Sequence, residues 1–257
     1  MIKIKTAQEI EKIIGAGKRL SSLFGELEQL VRANQSTLDI DTWITKALQE
    51  RDMVTQTKGY MGYRHASCVS VNDEIVHGVP SATKILHPGD LVKVDVCAAW
   101  SGYCADMARC FIVPGSDSNK VASNLVTAAQ KSLDEGIDKA RPMNYLSDIS
   151  AAIQRIVEDA GFGIVRDFCG HGIGKTMHEE PEIVNYGCPG RGPVLKPGMV
   201  FAIEPMITEK DYRVKMAADG WTASTYDGGL AAHVEDTVVI TQDGPLIVTR
   251  TRERLKA

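Results

Sequence analysis

Two stretches of the chain, LHPGDLVKVD (86–95) and LKPGMVFAIE (195–204), carry one pattern 109 residues apart. Leu86 answers Leu195, Pro88 answers Pro197, Gly89 answers Gly198 and Val94 answers Ile203, and an acid closes each stretch, Asp95 and Glu204. The helical pattern upstream repeats at the same shift: Ile40, Ile44, Ala47 and Leu48 align with Ile149, Ile153, Ile156 and Val157. Amphipathic periodicity alone could produce the helical matches. An L-x-P-G turn followed at a fixed distance by an acid is a narrower coincidence. Self-similarity at a single shift predicts two α+β half-units related by a pseudo-two-fold axis. One domain over 1–257 is expected, with halves of about 1–113 and 114–257. Asp95 and Glu204 then hold equivalent places and face whatever lies between the halves.

Local signals fit that order. TAQE (6–9) is a capping-box pattern, followed by Ile10, Ile13, Ile14, Leu20, Phe24, Leu27 and Leu30 on one helical face. A second helix is expected from about Thr37 to Glu50, then a strand over Ser67–Val71 and a hairpin over Leu91–Val113. The second half predicts a helix from about Ser118, stopped near Pro142, and another from Leu146 to Ala160 closed by Gly161. Strands are expected at about Ile164–Phe168, Met199–Ile203, Val234–Ile240 and Leu246–Thr249.

The hairpin, LVKVDVCAAWSGYCADMARCFIV, sets two aspartates in mostly apolar sequence, and an unpaired buried carboxylate is costly. A turn centred between Trp100 and Ser101 would put Asp95 opposite Asp106, with Cβ atoms about 4.5–5.5 Å apart. Like charges that close call for a cation between them, whereas a one-residue slip would turn one aspartate to solvent. Glu204 in VFAIEP and Glu235 in HVEDTVVI sit in equally apolar settings. None of the four acids has an Arg or Lys beside it to neutralise it, so convergence on cations is the economical reading.

CGHGIGKTMHEEP (169–181) adds histidines. Gly170 and Gly172 flank His171 and predict a sharp turn that opens the imidazole to a ligand. His178 follows seven residues later, and His77 lies in a turn-like VHGVP. Each alone could be a satisfied loop residue. Together with the orphaned acids they suggest a carboxylate and imidazole site, suited to Mn²⁺, Fe²⁺, Co²⁺ or Zn²⁺. His65 and His87 read as outside it. His233 is expected at solvent, with the face shared with Glu235 as the alternative. The run CGHGIGKT resembles a phosphate loop, but Cys169 stands where its first glycine belongs and Pro181 cuts short the helix it needs.

Other classes fall away on composition. Lys+Arg 29 against Asp+Glu 33, with no basic block, leaves no nucleic-acid footprint. The longest apolar runs are far below the roughly 20 residues that span a bilayer. The charged start MIKIKTAQEIEKI is no secretory signal, so cytoplasmic residence is expected. Six cysteines without C-x-x-C spacing are expected to be reduced.

Asp95, Asp106, GHGIG, HEEP, FAIEP and the acid of HVEDT together resemble the type I methionine aminopeptidases, in their short bacterial form, over nearly the whole chain. The resemblance implies the two-halved pita-bread fold, an antiparallel sheet covered by helices. It implies two divalent ions (Co, Mn, Fe or Zn), with Asp95, Asp106 and Glu235 at one and His171 and Glu204 at the other, and an activated water as nucleophile. By the same carry-over Glu204 moves the proton, His178 steadies the scissile carbonyl and His77 contacts the substrate backbone. The methionine pocket would use Tyr60, Tyr63, Cys68, Met177 and Trp221. Implied partners are N-terminal Met peptides and nascent chains, with transient ribosome contact, no membrane, and a monomeric state. Departures from the family pattern stand at Met61 (often histidine), Met177 (commonly aromatic), Val234 and Asp236 (usually aromatic and His), and Ala105 (usually Gly). An Xaa-Pro aminopeptidase of the same fold and a non-catalytic binding protein are the alternatives.

Overall fold

The computed structural model describes residues 1–115 and 119–250. In chain order the elements are α1 (Ala7–Leu27), α2 (Thr37–Gln49), β1 (Val54–Thr55), β2 (Cys68–Val71), β3 (Glu74–Val76), β4 (Leu91–Trp100), β5 (Tyr103–Ile112), α3 (Lys120–Lys139), α4 (Leu146–Asp159), β6 (Gly163–Ile164), β7 (Gly170–Gly172), β8 (Glu179–Ile183), β9 (Val200–Ile203), β10 (Met206–Thr208), β11 (Val214–Met216), β12 (Ala223–Thr225), β13 (Ala231–His233), β14 (Glu235–Thr241) and β15 (Gly244–Ile247). The expected start of the third helix at Ser118 lies outside the described residues. Thr6 and Glu9 form the capping box of α1, and Ser36 and Asp39 that of α2.

An antiparallel sheet, in the order β1-β4-β5-β14-β9-β7-β8, is the frame. Its strands alternate, so one face is apolar and covered by helices. Val94, Val96, Ala105 and Met107 pack with Leu20, Leu23, Ile40 and Ile44 of α1 and α2. Phe201, Ile203, Val238 and Ile240 pack with Leu125, Leu133, Ile149 and Ile153 of α3 and α4. Each half thus closes its own core on the same sheet.

The 109-residue repeat is carried in backbone geometry. An isolated bridge joins Ser36 to Ile85, and its counterpart joins Tyr145 to Val194. Leu86 N–H donates to Gln35 O at 2.8 Å, and Leu195 N–H donates to Asn144 O at 2.8 Å. Gly89 and Gly198 both take φ 90°, the left-handed region that the P-G turn requires. These matches make the chain an α+β protein of two pseudo-symmetric halves, the pita-bread architecture. Among the described residues no helix is long and apolar enough to cross a membrane.

Candidate metal centre

The five resemblance-derived ligands come from neighbouring strands on the face opposite the helices. Asp95 lies on β4, Asp106 on β5, Glu235 on β14, Glu204 just past β9 and His171 on β7, and these strands are consecutive in the sheet. Ala108 pairs with Asp95 on one side and Glu235 on the other. Its small side chain leaves the space between the two acids open.

The hairpin register differs from the one expected. Asp95 faces Ala108, Asp106 faces Cys97, and Trp100 pairs with Tyr103, so the turn is centred between Ser101 and Gly102. Both turn residues have positive φ, 53° and 77°, as a tight two-residue hairpin turn demands. A shift of two residues preserves the face, so Asp95 and Asp106 remain on one side as diagonal neighbours. The glycines beside His171 also act otherwise than expected. Gly170–Gly172 is a strand, not a sharp turn, and a Cβ at either glycine would meet backbone oxygen, of Ala202 at Gly170 and of Glu180 at Gly172. Close backbone approach, rather than turning, is what they permit.

His171 is oriented by its own neighbour. Nδ1 lies 3.0 Å from Gly172 O, which can only accept, so Nδ1 carries the proton. The Nε2 lone pair then points toward Glu204 Oε1 at 3.6 Å and Asp106 Oδ2 at 3.9 Å. Glu204 sits at a break between sheets, because Pro205 has no N–H to continue the ladder. Asn185 Nδ2 donates to the Glu204 carbonyl at 3.0 Å instead. Across that break the register is unchanged: Ile203 pairs with Asp236 and Met206 with His233, so Glu204 faces Glu235 directly.

Asp106, His171 and Glu235 are buried and Asp95 and Glu204 half-buried, and all five line one cavity of about 740 Å³. Among the described residues no Lys or Arg lines it. Ligand-type atoms of Asp106, His171 and Glu235 lie within 4.8 Å of one another, as do those of Glu204, His233 and Glu235. Glu235 Oε1 is buried without a hydrogen-bond partner. Four clustered acids, an orphaned carboxylate oxygen and two imidazoles fit divalent cations well.

The expectation for His233 is overturned. It is buried, with Nε2 3.2 Å from Glu204 Oε2. The acid next to Glu235 also finds a place: Asp236 points to the helix side, where Arg109 (2.6 Å) and Arg250 (2.6 Å) pair with it and Thr249 donates to it. Burial works against its ionisation, but the two guanidiniums hold its carboxyl below the usual range. Arg109 also donates to the Glu235 carbonyl at 2.5 Å, so this ion-pair network braces the strand that carries a candidate ligand.

The family model of Metallopeptidase family M24 matches residues 11–242. The chain belongs to that family. Within M24 it goes with the type I methionine aminopeptidases. The methionine aminopeptidase of Clostridium acetobutylicum is 43% identical over 249 residues, 97% of this chain and 99% of the relative. The crystal structure of the Thermotoga maritima methionine aminopeptidase has a TM-score of 0.95 and 41% identity, covering 98% of this chain and 100% of that one. The Pyrococcus furiosus prolidase shares the fold alone, with a TM-score of 0.78 and 24% identity, and this chain spans 66% of its length.

The rest of the M24 cavity is built mostly from loops. His77, His178, Tyr60, Tyr63, Cys68, Met177 and Trp221 all line it, joined by Met61, Thr57, Phe168 and Cys169. Tyr63 and Trp221 meet edge-on with centroids 5.0 Å apart, and Tyr60 meets His178 at 5.3 Å. His77 holds φ 58°, costly for a side chain with a Cβ, and packs edge-on against Phe168. Neither His65 nor His87 lines the cavity. His65 instead bonds to Asp41 (3.0 Å), whose carboxylate also accepts from Ala66 N, Ser67 N and Ser67 Oγ, and so ties down the loop bearing Tyr60 and Tyr63. Sequence reading missed this anchor because Asp41 is 24 residues from His65.

Burial pushes Asp106 up to about 7, with Glu204 adding to it, and pushes Glu204 up to about 8. Asp95 and Glu235 are raised by burial first and then by their acidic neighbours. Burial lowers His77, His171 and His233 to about 4. In the unfolded chain the acids ionise near 4, so the stability that these raised groups contribute is complete below that and is lost as pH rises through 7 to 8. Above pH 7 the histidines are neutral in both states and drop out. Metal-free protein is therefore expected to lose thermal stability from pH 7 to 8.5, and added divalent metal is expected to raise Tm by a margin that grows with pH. Melting curves with chelator and with metal check this; a margin that stays constant would contradict it.

Proposed function

We propose that this chain is a dimetal aminopeptidase that hydrolyses the peptide bond after an N-terminal methionine in peptides and nascent chains of the cytoplasm, as one catalytic domain. The observation that carries the reading is the convergence of Asp95, Asp106, His171, Glu204 and Glu235, from five consecutive strands, on one cavity walled by Tyr60, Tyr63, Cys68, Met177 and Trp221. Those five would hold two divalent ions (Co, Mn, Fe or Zn). Bound ions would supply Lewis acidity and lower the pKa of a water to near neutrality.

The chain's own groups do the rest. The substrate's free α-amine is held beside this cluster, which limits cleavage to one residue from the end. Glu204, facing the cavity and ionised once its charge is balanced by cations, accepts the proton of the attacking water and passes it to the leaving amine. His178 donates to the scissile carbonyl and stabilises the oxyanion. His77 aligns the substrate backbone. The apolar aromatic wall, with the Met177 and Cys68 sulfurs, suits an unbranched thioether.

The test is cleavage by chelator-stripped protein after separate addition of Co²⁺, Mn²⁺, Fe²⁺ or Zn²⁺. The expected result is metal-dependent release of Met from Met-Ala-Ser, with Leu-Ala-Ser and Ala-Pro-Ala left intact. Cleavage of Ala-Pro-Ala instead would transfer the assignment to an Xaa-Pro peptidase. Silence with every ion despite metal uptake would leave a binding protein.

A further inference from the structure

The second imidazole of the centre, His233, has no role in the ligand set carried over from the family. It ends β13, is 1 % exposed, and stands two residues before Glu235. The pairing of Met206 with His233 sets its ring diagonally across from Glu204. Nε2 approaches Glu204 Oε2 to 3.2 Å, yet it is buried without a hydrogen-bond partner. The contact is close enough for an N–H···O bond but is not aligned as one. A ligand-type atom of the ring lies within 4.8 Å of those of Glu204 and Glu235, and Glu235 Oε1 is orphaned in the same way. Two orphaned atoms, from residues only two apart where β13 gives way to β14, share a need for a cation.

We propose that His233 is a metal ligand, forming with Glu204 and Glu235 a second subsite beside Asp106, His171 and Glu235. Each subsite then takes one imidazole, and Glu235 serves both. Each trio has its ligand atoms within 4.8 Å of one another. This rests on the dimetal reading and adds His233 to its ligands, with Glu204 between the two imidazoles, Oε1 3.6 Å from His171 and Oε2 3.2 Å from His233. A second imidazole softens the donor set and tilts preference from Mn²⁺ toward Co²⁺, Fe²⁺ and Zn²⁺.

X-ray absorption of the wild-type protein loaded with two equivalents of Co²⁺ counts imidazoles without any substitution. One imidazole per cobalt on average is expected, and one per two cobalts would overturn the proposal while leaving the dimetal reading intact. In calorimetric Co²⁺ titrations of chelator-stripped protein, His233→Gln is expected to weaken the second equivalent at least tenfold. Unchanged affinity for both equivalents would count against His233 as a ligand. Failure of the wild type to take up any Co²⁺ would overturn both readings together.

Discussion

Asp106→Asn is expected to cut turnover of a Met-initiated peptide by about three orders of magnitude, roughly 4 kcal/mol of transition-state stabilisation. Asp106 belongs to one compact trio of ligand atoms: it is buried on β5, neighbours Asp95 diagonally, and sends Oδ2 toward His171. An amide there keeps the shape and loses the charge that balances the cations. The fold should survive, because Asp106 is held by its backbone. Its N–H donates to Thr237 Oγ1 at 2.8 Å, and Thr237 Oγ1 donates back to its carbonyl at 2.9 Å. Removing one of four crowded acids also relieves like-charge repulsion in the metal-free state. The metal-free variant is therefore expected to melt at or above the wild-type temperature, while the Tm gain on adding metal shrinks. Near-normal turnover in a metal-replete assay would remove Asp106 from the ligand set.

That such a prediction can be framed owes much to features already visible in the chain. The acids stand out because Asp95, Asp106, Glu204 and Glu235 interrupt mostly apolar sequence, and the repeat pairs Asp95 with Glu204. What escaped is what depends on contacts distant in sequence. The expected hairpin turn lies one residue early, because Trp100-Ser101-Gly102 reads as a turn. Trp100 is in fact a strand residue, with its ring 3.9 Å from the Arg19 guanidinium. The error moved the pairing by two and so spared the face. His233 was assigned to solvent because a polar residue ahead of an apolar strand usually lies there; its burial follows from β13 pairing with β10, a strand 25 residues earlier. The strand expected over Ile164–Phe168 is only Gly163–Ile164, since Phe168 turns into the cavity against His77. Asp236 stood out only as a departure. The arginines that justify it lie at 109 and 250, on the far face of the sheet.

His178→Ala should lower kcat by about 10²- to 10³-fold, the range for loss of one oxyanion donor, while both equivalents of metal still bind. The position of the ring separates these two effects. His178 stands at the exposed mouth of the cavity, with Nδ1 3.3 Å from the Tyr60 hydroxyl and its ring edge-on to His171 at 4.5 Å. It belongs to neither compact trio of ligand atoms. Burial lowers its pKa, so the imidazole is neutral at pH 7 and keeps one N–H to donate. A donor that acts as charge builds on the carbonyl oxygen lowers kcat with little change in KM. Tyr60→Phe, which removes only the hydroxyl beside Nδ1, should show a weaker form of the same kcat loss. If His178→Ala instead releases one equivalent of metal, the ring is a ligand and the oxyanion role passes to another group. If KM rises while kcat holds, His178 binds the ground state and the transition state alike, and its part is substrate binding alone.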